Sequence, residues 1–201
     1  ALREAESSRH VACLLTQVEA DEDDPAFNNP TKPIGPFYDK EEALRVGKEM
    51  GWIMKEDAGR GWRHVVPSPK PKHVCDISLV QVLAGRGTVV IAGGGGGIPV
   101  VRGPKGVRRG VEAVIDKDFT SAHMANVLGI GLLMILTAVP KVSINFGTRS
   151  QRDLDFLTMR ELRAYHAEGH FPPGSMGPKV DAALRFLEGG GEHVIIAHLD
   201  E

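Results

Sequence analysis

Short apolar runs alternate with charged and glycine-rich stretches along this chain, and the spacing predicts strands and helices in turn. Val11 to Val18 (VACLLTQV) is apolar with β-branched ends, the pattern of a strand buried on both faces, and the acidic run Glu19 to Asp24 ends it. From Pro25 to Pro71 the pattern breaks: seven prolines and both tryptophans, Trp52 and Trp62, fall there, so this stretch reads as an excursion from the main sheet. Inside it, Asp39 followed by Glu42 predicts a capped helix to about Met50, ended by Gly51. The run Pro67 to Pro71 predicts an extended exit.

From Asp76 onward strands and helices alternate, the signature of α/β architecture with a mainly parallel sheet covered by helices. A helix is expected from about Ile77 to Leu83, then a strand, Thr88 to Ala92, that runs into the glycines Gly93 to Gly97. Asp116 and Asp118 suit the cap and first turn of a helix reaching about Leu128. Leu132 to Val139 reads as a buried strand, and Val142 to Phe146 as a short one. Thr158 with Glu161 predicts a capping box for a helix ending near Gly169. Pro178 is expected at the first position of a helix whose apolar stripe is Val180, Ala183, Leu184 and Leu187; Gly189 closes it, and Val194 to Leu199 forms the last strand.

Composition narrows the function classes. At 201 residues, one large domain with an insertion is expected. A formal charge of −2 supplies no basic field for nucleic acid or an anionic membrane, and the longest apolar run is far short of the roughly 20 residues of a membrane helix. Cys13 and Cys75 are too few for a disulfide framework or a cysteine-rich zinc site, which points to a reducing cytoplasm. The chain opens on Ala1, within a charged, helix-like stretch to His10, and no signal peptide is seen; it reads as a fragment.

Several groups could carry chemistry. Glycines in sequence cost roughly 0.5–1 kcal/mol each relative to Ala in regular structure, so Gly93 to Gly97 needs a reason: either an anion-binding nest at a strand end or a tight connection. The run matches neither G-x-G-x-x-G nor a P-loop. Lys117, between Asp116 and Asp118 at a strand-to-helix junction, either holds a phosphate or is one charge of a solvated cap. Lys179 follows the stiff loop Pro172 to Pro178 into a helix start, where a cation opposes the dipole unless an anion satisfies both. Lys32 sits on a proline-stiffened arm, and Lys55 to Arg63 is a dense charge cluster; each is either a lid over a site or plain surface. The histidines show no HExxH or other metal spacing and no serine sits in a G-x-S-x-G elbow, so zinc hydrolysis and serine-nucleophile chemistry are not expected.

Six longer words then stand out in order: NPTKPIGPF (Asn29 to Phe37), KEDAGRGW (Lys55 to Trp62), VVPSPKP (Val65 to Pro71), GGGGIPV (Gly94 to Val100), GVEAVIDKDF (Gly110 to Phe119) and GHFPPGSMGPK (Gly169 to Lys179). Together they closely resemble the carbamate kinase family. The resemblance implies an amino-acid-kinase-like open α/β sandwich lacking its N-terminal third. It divides the chain into the end of an N-terminal lobe (1–24), a protruding lid subdomain (25–71) and a nucleotide-binding α/β lobe (72–201). It implies reversible phosphoryl transfer between ATP and carbamate, with carbamoyl phosphate, carbamate and ADP/ATP as small-molecule partners, Mg²⁺, a homodimer and a place in arginine metabolism. The alternative reading is a non-catalytic relative or fragment that binds nucleotide or carbamoyl phosphate.

By the same resemblance Lys117 and Lys179 hold the transferring phosphoryl group, Asp118 positions them, and Lys32 reaches the carbamoyl phosphate from the lid. Gly94, Gly95, Gly96 and Gly97 face the phosphoryl and acceptor groups, while Thr137, Ala138, Val139, Met176 and Gly177 cradle the nucleotide. No residue is assigned to a metal. The chain departs from the family at Gly93 (usually Cys), Pro140 (usually Asp) and Ser143 (usually Tyr); losing an aromatic wall at the last is expected to cost nucleotide affinity on the order of 1 kcal/mol.

Overall fold

A computed structural model describes residues 8–57 and 59–200, so most of the helix-like opening stretch lies outside the described residues. The first apolar run forms two strands rather than one, β1 (Val11–Cys13) and β2 (Gln17–Ala20). The break falls where the Thr16 hydroxyl turns back to donate to the Leu14 carbonyl and accepts from the Gly93 N–H, which competes with a continuous ladder. Nor is this run buried on both faces: Val11 is exposed and Leu15 is 90% exposed, whereas Val18 and Ala20 are buried. The acidic run does not end the strand either, since Glu19 lies inside β2.

The excursion is a three-stranded antiparallel sheet, β3 (Lys32–Tyr38), β4 (Met54–Glu56) and β5 (Trp62–Val66) in the order β3-β5-β4, with helix α1 (Lys40–Met50) packed on it. Asp39 caps α1 by accepting from the Glu42 N–H, and Gly51 ends it in the left-handed region at φ 69°. The neck closes where the Thr31 N–H donates to the Val66 carbonyl.

Strand β6 (Pro71–Val74) then leads to helix α2 (Ile77–Gly85) and strand β7 (Val89–Ile91), which pairs parallel with β1. Strands β8 (Ile98–Arg102) and β9 (Arg108–Gly110) complete a mixed sheet of order β6-β2-β8-β9, in which the β2–β8 pair is parallel and the β2–β6 and β8–β9 pairs are antiparallel. Val18, Ala20, Val74 and Ile115 fill its core.

Helix α3 (Lys117–Val127) is followed by strand β10 (Leu132–Thr137), the antiparallel pair β11 (Val142–Ile144) and β12 (Arg152–Leu154), and helix α4 (Met159–Ala167) with the expected Thr158–Glu161 capping box. Helix α5 (Met176–Glu188) starts two residues before Pro178, which is its third residue; a first-turn N–H has no intrahelical partner, so proline is accommodated there as well. The last strand, β13 (His193–His198), lies parallel to β10. Leu133 and Ile135 of β10 are buried under α3 and α5 with Phe186, but the alternate residue Met134 is 55% exposed. The strand is thus covered on one face, not both.

Candidate functional site

Two helices bring the predicted lysines together. Helices α3 and α5 pack side by side through Ala122, Ala125 and Ala182 around Phe186, and small residues at the contact let the axes approach closely. Their first turns therefore open onto one cleft of about 310 Å³, lined by Lys32, Gly95, Asp116, Lys117, Asp118 and Lys179 among others. Side chains on a helix lean toward its N-terminus, so Lys179, just before the fully buried Val180, reaches back into this cleft.

Asp118 is the hub. Its carboxylate is buried, with Oδ1 accepting from Lys117 Nζ at 2.7 Å and Oδ2 from Lys179 Nζ at 2.8 Å. Asp116 caps α3 by accepting from the Asp118 N–H at 2.9 Å through Oδ1, and its Oδ2 accepts from Lys32 Nζ at 2.7 Å. Burial pushes the Asp116 carboxyl up, but the Lys32 hydrogen bond, the Asp118 N–H and the charges of Lys32 and Lys117 outweigh it and hold the group below the usual carboxylate range. Three ammonium groups against two carboxylates leave the lining with a net positive charge, and two helix N-termini add partial positive charge at the same place. Each lysine spends one of its three N–H donors on a carboxylate and keeps two, so the arrangement suits a tetrahedral anion.

The glycine run divides by role. Gly95 lines the cleft, with positive φ and open space where a side chain would stand, and Gly94 is also open. Gly96 and Gly97 are required by packing: a Cβ would fall 1.7 Å from the Ile115 carbonyl oxygen at Gly96 and 2.4 Å from a Val18 methyl at Gly97. The Thr120 hydroxyl further ties the run to α3 by donating to the Gly96 carbonyl.

A second, apolar cleft adjoins the first and shares Ser175 with it; Val139, Lys141, Ser143, Phe146, His170 and Met176 contribute to its walls. Of the residues expected to cradle a nucleotide, Val139 and Met176 are in this wall. Thr137 ends β10 and accepts from the Leu199 N–H, Ala138 is exposed beside it, and buried Gly177 packs against the Pro172 carbonyl, where a Cβ would come within 2.8 Å. Ser143 donates to Asp153 at 2.7 Å. Neither Phe146 nor His170 carries a site role in the sequence reading: Phe146 closes a short apolar run and His170 stands within the word GHFPPGSMGPK, and the fold places their rings in the wall from separate loops. Among the described residues, no three His, Cys, Asp or Glu side chains gather as a metal cage.

The amino acid kinase family profile matches residues 36–198. The chain is 50% identical over 200 residues to a carbamate kinase of Pyrococcus furiosus, covering 100% of this chain and 63% of that one. It is 49% identical over 202 residues to carbamate kinase 2 of Staphylococcus aureus, covering 64% of that protein. Among solved structures, carbamate kinase from Giardia lamblia bound to AMP-PNP superposes with a TM-score of 0.86 at 41% identity, over 98% of this chain and 63% of that one. The same enzyme bound to citric acid gives 0.90, also at 41% identity, over 99% and 62%. The chain therefore spans a little under two thirds of the length of these relatives.

Proposed function

The chain belongs to the amino acid kinase family, and from that premise we propose that it transfers a phosphoryl group between ATP and carbamate, running in the cell mostly from carbamoyl phosphate and ADP toward ATP. One observation carries the reading: Lys117 and Lys179, 62 positions apart in the chain, converge on the two oxygens of buried Asp118 in an open, positively charged cleft.

In this reaction the bond from phosphorus to the carbamate oxygen breaks and a bond to a terminal oxygen of ADP forms, with the charge left on carbamate. Such a transfer needs alignment and charge neutralisation more than covalent help. Lys117 and Lys179 neutralise the equatorial and bridging oxygens, and Asp118 keeps both ammonium groups aimed. Lys32 contacts the carbamoyl phosphate from the excursion, which acts as a lid over the lobe 72–201. Gly94 and Gly95 give the anion access to bare backbone, while Gly96 and Gly97 hold that backbone in place. The base lies in the apolar cleft against Val139, Met176 and Phe146, near Thr137, Ala138 and Gly177, and the phosphates pass Ser175 toward the lysines. Phe146 supplies an aromatic wall despite Ser143. The carboxylates of the cleft are already engaged by lysines, so this reading leaves Mg²⁺ with the nucleotide phosphates, whose hard oxygens suit it.

The same reading includes a homodimer and a cytoplasmic enzyme of arginine metabolism. Among the described residues no helix is long and apolar enough to cross a membrane, and exposed apolar groups such as Met134 offer surface for an interface.

Incubating the chain with carbamoyl phosphate and ADP, and following ATP with a coupled luminescent assay, tests the proposal. ATP formation supports it. Tight ADP binding by calorimetry with no ATP formed would instead establish a nucleotide-binding fragment, an outcome that the 63% coverage of its relatives makes worth measuring.

A further inference from the structure

Beside Asp118 stands a second carboxylate with both oxygens engaged. Asp116 is mostly buried, its side chain 12% exposed, and it divides its two oxygens between two tasks: one caps α3 and the other takes the ammonium of Lys32 at 2.7 Å. Lys32 begins β3, in a unit whose elements pack chiefly on one another. The segment that follows β5 out of that unit is pinned next to Asp116, with Ser68 Oγ donating to the Val114 carbonyl at 2.8 Å and the Val114 N–H donating to the Pro67 carbonyl at 2.9 Å. The ion pair therefore spans from the start of the excursion to the first turn that carries Lys117 and Asp118.

We propose that Asp116 is a positioning residue for Lys32, steering that ammonium over the cleft as Asp118 steers Lys117 and Lys179, and thereby tying the excursion to the N-terminus of α3. Its use in phosphoryl transfer rests on the reading above; the tie itself does not. The residue type follows from the two tasks. Asn or Ser would cap the helix as well as Asp, but only a carboxylate caps it and also holds a cation.

Asp116→Asn separates the tasks, because its amide oxygen still accepts from the Asp118 N–H while the charge facing Lys32 is gone. Hydrogen exchange on the ligand-free chain, read by mass spectrometry, compares it with Lys32→Met and with the double variant. Amides of Lys32–Tyr38 and Trp62–Val66 are expected to exchange about fivefold faster in each single variant, and in the double no faster than in either single. Unchanged exchange in the single variants, or additive acceleration in the double, overturns the proposal. Asp116→Ser, which also retains a cap, repeats the test should Asp116→Asn fold poorly. In the ATP-forming assay, Asp116→Asn is expected to raise KM for carbamoyl phosphate about tenfold with kcat changed less than about threefold, and to add nothing in the Lys32→Met background. A chain that forms no ATP refutes the proposed function alone, and the exchange data still decide the role of Asp116.

Discussion

Glu19 and Asp118 are both buried carboxylates flanked by two cations, yet their settings differ. Glu19 takes a two-pronged pair from Arg102 at 3.1 and 2.7 Å, with Arg108 at 3.8 Å, all on neighbouring strands of one sheet. The planar fork is consumed by the carboxylate, and the cluster joins β2, β8 and β9. Asp118 instead receives two lysines from two helix starts beside an open cleft, each with donors to spare. A carboxylate met by a matching fork makes a strut; one shared between point charges at the edge of a cavity leaves ammonium donors open to that cavity. Counting ion pairs would not tell them apart.

The largest effect expected from this contrast is on the Asp118 side. Lys179→Ala should lower ATP formation by about 10²–10³-fold while moving the unfolding midpoint by no more than about 2 °C, measured by the coupled assay and by calorimetry. Equal loss of stability and activity would erase the distinction. Glu19→Gln should do the reverse, lowering Tm by about 2–5 °C with turnover of the remaining folded protein unchanged.

Acid titration sharpens the same point. The Arg102 hydrogen bond, against the opposing effect of burial, holds the Glu19 carboxyl below its ordinary value of 4.5. A carboxyl with a lowered folded pKa contributes stability that is present above 4.5 and is lost as pH falls through the folded value. The unmodified chain should thus lose more of its Tm than Glu19→Gln between neutral pH and pH well under 4.5. The smallest effect is expected from Arg108→Ala, about 1 °C or less, because its 3.8 Å approach is peripheral to the fork.

Local signals in the chain were legible where a single residue does a local job. Asp39 and Thr158 cap the helices expected of them, and Gly51 closes α1 in the left-handed region that only glycine enters cheaply. Lys179 stands out because a cation in the first turn of a helix opposes the dipole, whereas the roles of Lys117 and Asp118 came from the family resemblance. Less was legible where partners lie far apart. Asp116 reads as a cap, and its second oxygen is explained only by Lys32, 84 residues earlier. Phe146 carries no motif and His170 only its place in the word GHFPPGSMGPK, and their position beside Val139 and Met176 exists only after β11 and the loop before α5 have folded against one another. Apolar alternation could not say which face of β10 is covered, because Leu132, Leu133 and Met134 are all apolar while only Leu133 is buried.

By itself, then, the order of residues determined the caps, the turns, the helix and strand types and the identities of the charged groups, since these depend on backbone conformation and spacing within a few residues. Tertiary structure alone decided which charges share a carboxylate, which glycines are squeezed by a neighbour's backbone and which oxygen of Asp116 meets Lys32. Those outcomes depend on distances of a few ångströms between segments far apart in the chain, and only the packing of α3 against α5 and of the excursion onto the lobe sets them.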